Sequence, residues 1–225
     1  GDFIIKSREI TKEGASYVAV HFSSFSLQDG ERVLVQNNKR HTEYEMFGNG
    51  KDGSGGVFWA QHVKGESLIL ELWIPSHSNL SVTRFTIDEE AFGFPSMADD
   101  IERHLLEKPT RRSLATCGDD ERQQAKCYEE SHPDVYTQSK AVARLLIQGG
   151  FVCTGWLISN DGHLMTNEHC IGSSSDALDT DFEFGAVAPD CDSPITPWDI
   201  TEGVTYSGAK LLKADVLLDY AMVDL

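Results

Sequence analysis

No cysteine precedes Cys117, and no stretch of the 225-residue chain approaches the ~18 consecutive apolar residues of a membrane span. The longest apolar runs, Leu68 to Ile74 and Val216 to Leu225, are interrupted by charge and read as strands. Basic residues are scarce: 19 Lys and Arg face 36 Asp and Glu, and a net charge of -17 excludes nucleic acid and membrane as partners. The deficit is concentrated beyond residue 112. Gly1-Asp2-Phe3 has neither the basic start nor the apolar core of an export signal, so any such signal is expected to lie outside these residues. Cys153, His163, His169 and Cys170 lack the paired spacing of a zinc site, and no metal or other cofactor is expected. The acidic run Asp176, Asp179, Asp181 and Glu183 is too irregular for a calcium loop and reads as solvated loop.

What is abundant is period-two alternation. Val18, Val20 and Phe22 alternate with Ala19 and His21; Val33 and Val35 follow the turn Asp29-Gly30; then come Tyr44 and Met46, Val57 to Val63, Leu68 to Ile74, Phe85 and Ile87. Runs at this pace, beginning near residue 14 and separated by turn residues, predict an antiparallel β-sandwich within residues 1–95. Residues 96–116 change character. Met97, Ile101 and Leu105 have helical spacing, Pro109 stops the helix, and the dibasic Arg111-Arg112 forms a candidate processing site. Across residues 117–225 strands return at Val142–Ile147, Phe151–Ile158, His163–Thr166, Phe182–Val187, Gly208–Leu212 and Tyr220–Leu225. Six strands suit one small Greek-key β-barrel. Asn79-Leu80-Ser81 is a glycosylation sequon.

The five cysteines allow several connectivities. Cys153 and Cys170 end two strand-like runs joined by the hairpin signal Asn160-Asp161-Gly162, which favours their pairing. Cys127 and Cys191 could tie an N-terminal extension to the same barrel. Cys117 is then left as a free thiol, an intermolecular bridge, or a partner of a cysteine outside these residues.

Acyl transfer from a serine needs an imidazole as base and a carboxylate on the imidazole's other nitrogen. His169, in Thr166-Asn167-Glu168-His169-Cys170, fits the first role and Asp219, in Asp219-Tyr220-Ala221-Met222-Val223-Asp224-Leu225, the second. The burial expected of the strand after Asp219 would limit water around the pair. No serine follows Asp219, so the nucleophile is expected beyond these residues. Ser54, in Asp52-Gly53-Ser54-Gly55-Gly56, precedes both groups and sits where a hairpin loop needs glycine, so it is set aside.

With Cys153-Thr154-Gly155-Trp156-Leu157-Ile158 upstream, residues 113–225 resemble the N-terminal half of a trypsin-like serine protease of the secreted lysyl endopeptidase group. The T-x-x-H-C pattern maps the general base onto His169, and the aspartate-aromatic pattern maps the orienting carboxylate onto Asp219. The resemblance implies bridges Cys153–Cys170 and Cys127–Cys191, with Cys117 paired outside the chain. Residues 15–95, from Tyr17-Val18-Ala19-Val20-His21-Phe22 through Phe58-Trp59 to Ala91-Phe92-Gly93-Phe94-Pro95, resemble the β-rich propeptide of the same group. It implies a secreted, extracellular endopeptidase zymogen acting on protein or peptide substrates, incomplete without a C-terminal protease half. The competing expectation is a catalytically dead, protease-shaped protein that binds a protein or glycan.

Overall fold

The computed structural model describes residues 2–93, 123–193, 198–199 and 201–225. The helix expected over Met97 to Glu107, the Arg111-Arg112 site and Cys117 lie outside the described residues. The described chain is mainly antiparallel β-structure, and none of its helices is long and apolar enough to cross a membrane.

The first part holds β1 (Phe3–Thr11), β2 (Tyr17–Phe25), β3 (Arg32–Gln36), β4 (Thr42–Met46), β5 (Phe58–Trp59), β6 (Val63–Lys64), β7 (Ser67–Pro75) and β8 (Phe85–Phe92). One sheet runs β1-β7-β3-β4; the other runs β5-β2-β6, with β8 also paired to β2. Alternation along β2, β3 and β7 places Val18, Val20, Phe22, Val33, Val35, Leu68, Leu70 and Ile74 in one shared core. Phe22, Phe25, Phe58 and Phe85 pack there with ring centroids from 5.0 Å to 5.7 Å apart, and each fully buried ring contributes ~2–3 kcal/mol. The result is the antiparallel sandwich that the alternation predicts. Two details differ. The sandwich begins at Phe3, because β1 pairs along the whole of β7, from Phe3↔Pro75 to Thr11↔Ser67. Only Ile10 of β1 is buried, so this edge strand carries no alternating signal. The run Val57 to Val63 is not one strand but two short ones, broken at Ala60–His62.

The second part opens with a single 3-10 turn, Ala125–Tyr128, and α1 (Pro133–Ser139). It continues through β9 (Val142–Ile147), β10 (Phe151–Leu157), β11 (His163–Thr166), α2 (Ser174–Leu178), β12 (Thr180–Phe184), β13 (Val204–Ser207), β14 (Lys210–Asp215) and β15 (Tyr220–Asp224). These strands form one seven-stranded sheet in the order β13-β12-β9-β10-β11-β15-β14. Its concave side buries Ala143, Leu145, Ile147, Leu164, Phe182, Ala221 and Val223 as a half-barrel core. The strand beyond the six expected is β13; its Val204 and Tyr206 are 60% and 55% exposed, so its sequence lacks a core-facing pattern.

The acidic run is not a solvated loop, and the charges that meet it explain why. Asp176 completes a capping box with Ser173 at the start of α2. Asp179, Asp181 and Glu183 recur with period two at the start of and along β12 and turn toward the first part. Asp179 accepts the Trp59 backbone N–H at 2.9 Å. Asp181 accepts the His62 backbone N–H at 2.8 Å and pairs with His62 Nδ1 at 2.7 Å. Glu183 pairs with Lys64 Nζ at 2.6 Å through one oxygen and Arg144 Nη2 at 2.6 Å through the other. Buried carboxylates at such positions need partners, and the first part supplies His62 and Lys64 beside Arg144 of the second.

Candidate functional site

The loop after β11 is shaped from both ends. Thr166 donates its hydroxyl to Thr154 O at 2.9 Å, tying the strand end to β10. Cys170 N and Ile171 N both reach Asn167 O, at 3.2 Å and 3.1 Å, closing a tight turn. Ile171 is fully buried, Cys170 nearly so, and Cys170 is bridged to Cys153. With its neighbours held inward, His169 faces outward.

Asp219 is set by a second turn. Asp215 Oδ1 accepts the backbone N–H groups of Leu217 and Leu218, both at 2.9 Å, and Asp219 follows at φ 48°. Aspartate is among the few residue types that enter this left-handed region readily. β15 then begins, with Ala221 and Val223 buried, so the carboxylate is anchored by the strand it precedes.

The two turns meet. His169 Nδ1 lies 2.9 Å from each oxygen of Asp219, and the His169 backbone N–H donates to Oδ1 at 3.1 Å. Asn167 Nδ2 donates to Asp219 Oδ2 at 3.2 Å and to Asp219 O at 3.0 Å. The His169 backbone N–H is the largest influence holding the Asp219 carboxyl below its usual range; the slight burial opposes it, and the His169 ring, its charge and Asn167 add to it. An ionised Asp219 accepting from Nδ1–H leaves the lone pair of neutral His169 on Nε2, facing solvent. This arrangement can remove a proton from a hydroxyl presented to Nε2 and stabilise the imidazolium that results.

The pair is more open than the strand pattern predicts: the side chains of His169 and Asp219 are 66% and 46% exposed. Burial of β15 stops at its inward residues and does not extend over the turn ahead of it. Beside the pair, Val216, Leu217 and Leu218 are 73%, 94% and 74% exposed, an apolar tip with no packing partner among the described residues.

Of the other sequence-derived positions, Cys127 is bridged to Cys191 and Cys153 to Cys170. The bridge removes the thiolates that a zinc ion beside His169 would need, although these three donors cluster within 4.8 Å. Asn79 sits on an exposed turn, its side chain accepting from Ser81 N at 2.9 Å. Ser54 donates to Lys51 O at 2.7 Å inside a loop of the first part and meets no histidine. Asn167 escaped the sequence reading, because its role depends on a long-range turn that no local pattern announces. His62 and Lys64 escaped it as well. Their matching period-two spacing against Asp181 and Glu183 was the available signal.

Comparison with known proteins adds two findings. Residues 118–225 match the family described as lysyl endopeptidase, C-terminal domain. Over 223 residues the chain is 35% identical to "Secreted RxLR effector protein 73" of Plasmopara viticola, an alignment covering 96% of this chain and 54% of that protein. The chain thus spans about half the length of this curated relative. Over its second part, where His169 meets Asp219, the chain is similar to a lysyl endopeptidase domain, and in that respect it is protease-related.

Proposed function

We propose that the chain carries the base and orienting carboxylate of a secreted serine endopeptidase, completed by a serine outside these residues. The observation that supports this best is the threefold grip on Asp219 by the His169 ring, the His169 backbone N–H and the Asn167 amide. A turn that merely needed a polar residue would not require all three. In the proposed step His169 Nε2 takes the proton from the serine hydroxyl as its oxygen attacks the peptide carbonyl. Asp219 stays ionised beside the imidazolium, and the same proton then passes to the departing amine. Secretion is supported by the two disulfides and by the relative's printed description.

A second reading, a protease-shaped binding protein without turnover, is favoured by one observation: the relative is named as an effector. The test is the longer product of the same reading frame, treated with a fluorophosphonate serine probe and with unstructured protein substrate. Labelling and hydrolysis that vanish in His169→Ala support the endopeptidase. An intact, disulfide-bonded product that neither labels nor cleaves overturns it in favour of the binder.

A further inference from the structure

We propose that residues 2–93 are a permanent companion of the half-barrel, docked on the face of β12, and that they stay bound there, leaving His169 accessible, after the connecting chain is cut. This goes beyond the endopeptidase reading and does not depend on a serine being supplied.

The contact is built as a specific interface. β2 is buried on both faces: Val18, Val20 and Phe22 enter the sandwich core, while Tyr17 and Ala19 pack with Leu146 and Trp198 of the second part. The rings of Tyr17 and His62 meet Trp198 edge to face, with centroids 5.4 Å and 4.8 Å away. Tyr17 donates its hydroxyl to Gly149 O at 2.9 Å. Gly149 has φ +68°, and a Cβ there would come within 2.6 Å of the Trp59 ring, so the β9–β10 turn is moulded to that indole. Buried aromatic anchors of this kind carry most of the affinity of protein interfaces.

The polar contacts set the register. His62, just before β6, and Lys64 within it are spaced by two, as are Asp181 and Glu183 on β12, so the two pairs form two rungs between the first and second parts. Lys64 Nζ also donates to Thr201 O at 2.9 Å, and Ser207 donates its hydroxyl to Asp181 Oδ1 at 2.5 Å. The side chains of His62 and Glu183 are 0% exposed. Such rungs add little net affinity over apolar contacts, but a wrong register would strand a buried charge.

The docking face is not the face of the catalytic pair. β12 and β11 are separated in the sheet by β9 and β10, and every hydrogen bond of His169 and Asp219 among the described residues is to the second part. A removable cover would lie over His169. Residues 2–93 do not.

The test places a site-specific protease sequence between Arg112 and Ser113 of the whole chain. No cysteine lies before that point, so cutting leaves no covalent link between the pieces. At neutral pH and moderate salt, at micromolar protein concentration, the pieces are expected to co-elute on gel filtration. Lys64→Glu, which sets a second carboxylate against Glu183, should split the cut complex while the uncut variant keeps its far-ultraviolet spectrum. Carbethoxylation of His169, mapped by mass spectrometry, should proceed at the same rate in cut complex and isolated second piece. Separation of the unmutated pieces would overturn the proposal. So would co-elution of the Lys64→Glu pieces, or a His169 reactive only once residues 2–93 are gone.

Discussion

Removing the Cys153–Cys170 bridge separates two roles that a disulfide can play. The bridged residues are 17 apart, for which the chain-entropy relation gives ~3 kcal/mol; Cys127 and Cys191 are 64 apart, for which it gives ~4 kcal/mol. On stability alone the longer loop matters more. For the proposed site the order reverses, because Cys170 follows His169 directly and its backbone N–H closes the turn onto Asn167 O at 3.2 Å. Cys153→Ala/Cys170→Ala is therefore expected to lose ~3 kcal/mol in guanidinium denaturation and to scramble the His169 ring tautomer, read from its ring nitrogen resonances. Cys127→Ala/Cys191→Ala should lose slightly more stability and leave those resonances in place. If the second variant disturbs His169 as much as the first, or the first leaves it untouched, the bridge does not hold the His169 turn.

Three further outcomes are expected. Asn167→Ala removes one of the donors that depress the Asp219 carboxyl, so the titration of that group, followed by carbon-13 NMR, should move up toward the ordinary carboxylate range. Acid should loosen the junction only in strongly acidic solution. At Asp181 and Glu183 burial raises the carboxyl, but His62, Lys51 and Ser207 in the first case and Lys64, Thr201 and Arg144 in the second outweigh it, so both are lowered. Their contribution is present above the unfolded value of ~4 and is lost as pH falls through the lower folded values. Asp179, raised by its burial, works in the opposite sense, and Tyr17, pushed up to about 12, stays neutral throughout. Tryptophan fluorescence of a Trp73→Phe/Trp156→Phe variant, which keeps Trp59 and Trp198, should thus hold until below pH ~4, and loss near pH ~6 would contradict the assignment. Gly155→Ala would set a Cβ 2.6 Å from Leu164 Cδ2 and 3.1 Å from Met165 O, costing ~1–3 kcal/mol in denaturant unfolding; an unchanged midpoint would show that Leu164 relaxes freely.

How much of this was readable beforehand follows from which interactions are local. Leu68, Leu70, Leu72 and Ile74 announced β7, since period two against one core is written in consecutive residues. β1 and β13 were silent because an edge strand with one buried residue, or none, leaves no such record. At the site, His169 and Asp219 were legible from flanking pattern, while their exposure was not, because it depends on what the second part does not cover. Asp181 and Glu183 read as solvated loop because the spacing of the acidic run matches no cation loop and holds no trace of a distant partner. Each becomes an interior residue only when a partner from more than a hundred positions earlier arrives, and a linear reading has no access to that meeting.

The ladder on β12 also constrains inheritance. Residues 62 and 64 on one side and 181 and 183 on the other form a single recognition code split across the chain. A change on either side exposes a mismatch that only a matching change can repair. Hybrids that join the sandwich of one homologue to the half-barrel of another should assemble when both sides of the code are exchanged together, and fail when one travels alone.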